Sequence, residues 1–132
     1  MDKSQTLDRI EIKDRTVPQP APNRNFLRLY GHTLSPYVER VRLVLASTPY
    51  QDCQVNLDSR TKWHMMLNRG MIPILETPAD NPQFGKAYTI LESRNIMDFL
   101  NEQLSLGLYS PDPFLKAEQV LMSDLLDRLP AL

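Results

Sequence analysis

The chain has 132 residues, room for one domain of ordinary size and too little for two complete ones. Fifteen Lys and Arg against sixteen Asp and Glu leave a formal net charge of −1, so whole-chain electrostatics offers a nucleic acid or an anionic membrane surface nothing to hold. The single cysteine, Cys53, excludes an internal disulfide, no charged-then-apolar leader opens the sequence, and no apolar run approaches the ~20 residues of a membrane span; a reducing cytoplasmic setting is expected.

Residues 1–25 are polar, charged and rich in proline (Pro18, Pro20, Pro22), which predicts a flexible leader with a short helical turn at residues 7–12. Residues 26–30, short, apolar and bounded by Gly31, suit a buried strand. A helix follows: Ser35 is a good N-cap, Pro36 fits the first helical position, and Glu39 adds negative charge to the first turn. Its apolar stripe is Val38, Val41, Val44 and Leu45, and Pro49 should end it near Ser47. Alternation at 53–57 predicts a strand with Cys53, Val55 and Leu57 on one face.

Residues 60–68 read as a short helix punctuated by Gly70, in which Trp63, Met65 and Met66, with Met71 beyond, are expected to pack. Residues 72–76 read as a strand with Pro73 near its start, and 87–91 as another. The proline-broken loop between them is too short for a crossover helix, so they should pair antiparallel. Ser93 can cap a helix to about Gln103, and Asp112-Pro113 opens a last helix running until Pro130.

Three places could carry chemistry. Ser35 puts a hydroxyl beside the free N–H groups of a helix start, a spot that favours an anion, thiolate included, although by itself the residue reads first as a simple cap. If the bond before Pro73 is cis, Ile72 can turn its N–H and C=O outward to pair with a peptide-like ligand; a trans, purely structural proline is the alternative. Glu92 and Ser93 at another helix start can hold an ammonium and a carboxylate together, or merely cap the helix. His32 and His64 make no metal signature, four glycines make no phosphate loop, and Cys53 on an apolar face reads as a small buried hydrophobe.

Taken together, Leu27-Arg28-Leu29-Tyr30, then Ser35-Pro36-Tyr37-Val38-Glu39-Arg40-Val41-Arg42-Leu43, then Ile72-Pro73-Ile74-Leu75-Glu76, then Leu91-Glu92-Ser93-Arg94-Asn95-Ile96 resemble the N-terminal, thioredoxin-like domain of cytosolic glutathione S-transferases. The proline-bearing leader, Asn56-Leu57 shortly before Trp63, and Ser110-Pro111-Asp112-Pro113 ahead of Lys116-Ala117 are most similar to the omega class. The resemblance implies a βαβαββα domain with a mixed four-stranded sheet over residues 26–105, followed at 106–132 by a linker and the first helix of a truncated all-helical domain. It implies that Ser35 is catalytic and that Ile72, beside a cis Pro73, binds the cysteinyl backbone of glutathione. Glu92 and Ser93 would then grip the γ-glutamyl end, Arg60 would reach the glycyl carboxylate, and Tyr37 and Leu57 would line the cleft.

Two departures from the family pattern matter. Omega members carry cysteine where this chain has Ser35, and a serine cannot form their mixed disulfide with glutathione; it can donate a hydrogen bond to the thiolate, as in serine-type classes. The helical domain that supplies the electrophile pocket is represented by about one helix, whose apolar stripe needs a partner. The expected function is therefore an omega-like transferase that binds glutathione as co-substrate, without metal, and activates its thiol toward a small electrophile, with a homodimer as the expected assembly. The alternatives are a non-catalytic interaction module, as in the stringent starvation protein A group, or an inactive truncated product.

Overall fold

The computed structural model describes residues 7–79 and 82–127. Five strands and four helices follow along them: β1 (Ile10–Glu11), β2 (Leu27–Gly31), α1 (Pro36–Val44), β3 (Tyr50–Gln54), α2 (Lys62–Asn68), β4 (Ile74–Glu76), β5 (Thr89–Leu91), α3 (Ser93–Gln103) and α4 (Pro113–Asp127). The strands form one mixed sheet in the order β1-β3-β2-β4-β5. β1, β3 and β2 run parallel, while β4 is antiparallel to both β2 and β5. The expected α/β architecture and closing hairpin are present, with one strand more than the four expected.

That strand corrects the reading of the leader. Residues 10 and 11 pair with Cys53 and Gln54 as a strand, where a helical turn is expected, and the Ile12 N–H donates to the Gln54 carbonyl at 2.8 Å. Ile-Glu-Ile alternates with period two, and Ile12, only 4% exposed, reaches the core; burying that side chain contributes about 1.5–3 kcal/mol. Downstream, Asn23 is buried, its carbonyl accepts from the Ala79 N–H, and its Oδ1 accepts from the Asn25 and Phe26 N–H groups. The segment from residue 8 to 25 is thus fastened to the sheet at both ends.

Ser35 caps α1 as expected, with φ −86°, ψ 120° and its Oγ accepting from the Val38 N–H at 3.3 Å. The helix stops two to three residues earlier than expected, at Val44, with Leu45 buried just beyond. Val38 and Val41 pack onto the sheet beside Gly31, where an added Cβ would meet a Val38 methyl at 2.5 Å. β3 begins three residues before the expected 53, because Gln51 and Asp52, polar by type, pair with Arg28 and Leu29 of β2.

The other face of the sheet joins Ile12, Tyr30, Cys53, Val55 and Ile74 in a core against which Trp63, Leu67 and Val17 pack. Trp63 meets Tyr30 edge to face at 5.9 Å. The methionines do not follow it: Met65, Met66 and Met71 are exposed, Met66 by 79%, because the seven-residue α2 turns only one side inward. A polar cluster interrupts this core. Arg28 Nη1 lies 2.8 Å from Glu76 Oε1, Arg28 Nε donates to Gln51 Oε1 at 2.8 Å, and the Tyr30 hydroxyl lies 3.3 Å from Glu76 Oε2. Burial raises the Glu76 carboxyl despite Arg28 and pushes the Cys53 thiol up to about 12.

His64 is buried in α2 with Nε2 2.9 Å from the Met71 carbonyl, and burial lowers its pKa. The unfolded chain takes up this proton near the ordinary histidine value of about 6.5 and the folded chain only at lower pH. Stability is therefore expected to be full above that value and to fall as pH drops through the folded pKa. Thermal melts from pH 8 to 5 should show this loss, and His64→Gln should flatten it; an unchanged slope in the variant would refute the assignment.

The described residues divide into two compact units that part between Asp98 and Phe99. In the second, Ser105 (φ 52°) and Gly107 (φ 65°) end α3, and Asp112 caps α4 by accepting from the Phe114 N–H at 2.9 Å. Along α4, Phe114, Leu115, Leu121, Met122 and Leu125 are exposed. The expected helix stop at Pro130 lies outside the described residues.

Candidate functional site

Strand direction decides which loops meet. β2 ends at Gly31, paired with Gln54 at the end of β3; Tyr30 also pairs with Ile74 at the start of β4, and Ile74 with Leu91 at the end of β5. The segments after β3, after β2, before β4 and after β5 therefore emerge at one rim of the sheet, in that lateral order. They carry Leu57 and Arg60, then Ser35 and Tyr37, then Ile72 and Pro73, then Glu92 and Ser93. From β3 to β5 are three interstrand spacings, about 14 Å, the reach of an extended tripeptide with its terminal groups.

At the middle of the rim, Ser35 Oγ spends a lone pair on the Val38 N–H, which leaves its own proton to donate. Tyr37, on the first turn of α1, is 43% exposed. Next to it the Ile72-Pro73 peptide bond is cis, and Ile72 lies two residues outside the last ladder pair of β4. At the β5 side Glu92 takes φ 72°, a left-handed conformation that costs a side-chain-bearing residue of order 1–3 kcal/mol and turns the chain sharply into α3. Its carbonyl accepts from the Ile96 N–H at 2.8 Å, so Glu92 holds the cap position expected of Ser93, which is the first helical residue and 7% exposed.

At the β3 side Arg60 is half committed. Its Nη1 donates to the Leu57 carbonyl at 2.6 Å and its Nε to the Gly70 carbonyl at 2.9 Å. A Cβ at Gly70 would meet Arg60 Cδ at 2.5 Å, and its φ of 75° suits glycine, so the residue that ends α2 also seats the guanidinium. The rest of the fork remains for a carboxylate. An open groove of about 590 Å³ continues from Leu57 along Glu11, Lys13, His32, Asn56 and Asp58. Sequence reasoning missed these lining residues; the Ile-Glu-Ile alternation at 10–12 was the available signal. No group of three or more potential metal-ligating side chains occurs among the described residues.

The sequence model described as "Glutathione S-transferase, N-terminal domain" matches residues 29–106. The chain belongs to the glutathione S-transferase family. It is 33% identical over 111 residues to pyrimidodiazepine synthase of Drosophila melanogaster, covering 80% of this chain and 44% of that protein. It is 26% identical over 124 residues to glutathione S-transferase omega-1 of Rattus norvegicus, covering 91% and 48%. Among solved structures, maleylacetoacetate isomerase of Anaeromyxobacter dehalogenans, with glutathione bound in its active site, superposes with a TM-score of 0.62 at 25% identity over 75% of this chain and 47% of that one. The chain thus spans about half the length of the curated relatives it matches. The rim thus gathers the ends of β2, β3 and β5, the start of β4, the start of α1 and the sharp turn from β5 into α3. No described helix is long and apolar enough to cross a membrane.

Proposed function

We propose that this chain is an omega-like, serine-type glutathione S-transferase domain that binds glutathione across the rim and activates its thiol for transfer to a small electrophile. The order of the rim segments carries this reading. Arg60 and Leu57 receive the glycyl end, Ser35 the thiol with Tyr37 beside it, Ile72 at Pro73 the cysteinyl backbone, and Glu92 with Ser93 the γ-glutamyl end. The domain would extend over residues 26–105 together with β1, with 106–132 as linker and first helix of a helical domain that completes the electrophile pocket in longer relatives. Cytoplasmic function and homodimer formation, supported by the exposed apolar residues of α4, belong to the same proposal. The glutathione bound in the isomerase structure supports the ligand.

Calorimetric titration with reduced glutathione tests it. Saturable one-site heat is expected, and at ten times Kd the ligand should stabilise the fold by about 1.4 kcal/mol, a shift visible in thermal melts. Absence of both heat and thermal shift at millimolar glutathione would end the proposal.

A further inference from the structure

The leader does more at the rim than add a strand. Residues 13–17 run as a strap along the segment that carries Leu57 and Arg60, and four hydrogen bonds join the two, one of them from Arg15 Nε to Ser59 Oγ at 3.5 Å. Asn56 Nδ2 donates to the Lys13 carbonyl at 2.7 Å, the Arg15 N–H donates to Ser59 Oγ at 3.1 Å, and Trp63 Nε1 donates to the Val17 carbonyl at 2.9 Å. Asn56 Oδ1 meanwhile accepts from the N–H groups of Asp58 and Ser59 at 2.8 and 3.0 Å, so one side chain both shapes the turn and hangs it on the strap. The strap itself is held from both sides, by Gln51 Nε2 donating to the Asp8 carbonyl and by Ala79 N–H donating to the Asn23 carbonyl.

A dependency follows along the chain of contacts. The strap fixes the Asn56 to Ser59 turn, the turn fixes the Leu57 carbonyl, and that carbonyl holds one arm of the Arg60 guanidinium. We infer that the strap is a positioning device for one end of the site: Asn56 and Ser59 act through Leu57 and Arg60, and they set the preference for a ligand that carries a glycyl carboxylate over one that ends at the cysteinyl residue. The inference rests on the glutathione reading above. The γ-glutamyl side of the site lies at β5, beyond β2 and β4, and shares none of these bonds. Loosening the strap leaves the turn to be ordered on binding, a cost borne only by ligands that use it.

The test compares glutathione with γ-glutamylcysteine, which lacks the glycyl group, by calorimetry on the whole chain. Ser59→Ala removes the oxygen that accepts from the Arg15 N–H and, more weakly, from Arg15 Nε, and adds no charge. Asn56→Asp keeps the oxygen that shapes the turn and replaces the donor to Lys13. Glutathione Kd is expected to rise about threefold in Ser59→Ala and about tenfold in Asn56→Asp, the scale of one hydrogen bond. The Kd for γ-glutamylcysteine should stay within about twofold, and Ser59→Thr, which retains the oxygen, should restore glutathione binding. Parallel weakening of both ligands, or unchanged glutathione affinity in both variants, overturns the strap inference while glutathione binding by the unaltered chain stands. An unaltered chain that binds neither ligand overturns the glutathione reading, and this inference with it.

Discussion

Arg28→Met is expected to destabilise the chain by about 3–5 kcal/mol, a large share of the ~5–15 kcal/mol that holds an ordinary domain together. Arg28 is 1% exposed, and its guanidinium satisfies both the Glu76 carboxylate and Gln51 Oε1. Methionine fills the volume but leaves a buried carboxylate without its counter-charge. Burial already favours the protonated form of Glu76, and removing the cation strengthens that preference. The loss should therefore be largest at neutral and alkaline pH, where the stranded carboxylate ionises in the unfolded chain, and should shrink as the solution is acidified. Arg28→Met combined with Glu76→Leu should recover much of it, since replacing a whole buried pair by apolar groups is often neutral. Urea denaturation of the two variants measures this; equal stability of single and double variants would show that the pair contributes nothing beyond packing.

The second large effect is on activity. On the proposed function, Ser35→Ala is expected to lower turnover with a reactive electrophile by about 10–100-fold, because the hydroxyl proton left free by the Val38 bond would no longer be there to donate to a glutathione thiolate, and a hydrogen bond to a charged group contributes about 1.5–3 kcal/mol. Glutathione affinity should change little, since in the proposed binding mode its backbone is held elsewhere on the rim. Alanine also removes the cap of α1, at about 0.5–2 kcal/mol of stability, whereas Ser35→Gly costs the cap only a few tenths. Both variants should lose activity alike and differ in melting temperature. Full turnover in Ser35→Gly would remove the hydroxyl from the mechanism.

What the sequence made legible was local signalling. Ser35-Pro36 with Glu39 announced α1, and Asp112-Pro113 announced α4, because caps and first-turn prolines act within four residues. The two final strands were paired correctly from loop length alone. The shift of β3 to Tyr50–Gln54 was hidden because Gln51 looks like a loop residue until Arg28, twenty-three positions away, is seen to need it. β1 was only half legible: the Ile-Glu-Ile alternation at 10–12 is a strand signal, but two residues among charges make a strand only when Cys53 and Gln54 offer a ladder. In the site, residue types at Ile72-Pro73 and Glu92-Ser93 were readable, but the left-handed Glu92, the commitment of Arg60 to two carbonyls and the support from the leader depend on tertiary contacts that no window of sequence contains.

Cys53, fully enclosed and held in its neutral form, has a practical corollary. The chain's only sulfhydryl is silent to alkylating and thiol-exchange reagents while folded, so a cysteine introduced anywhere on the surface becomes a unique chemical handle. Dyes, spin labels or cross-linkers can then be placed at single chosen positions with no background from the native sequence.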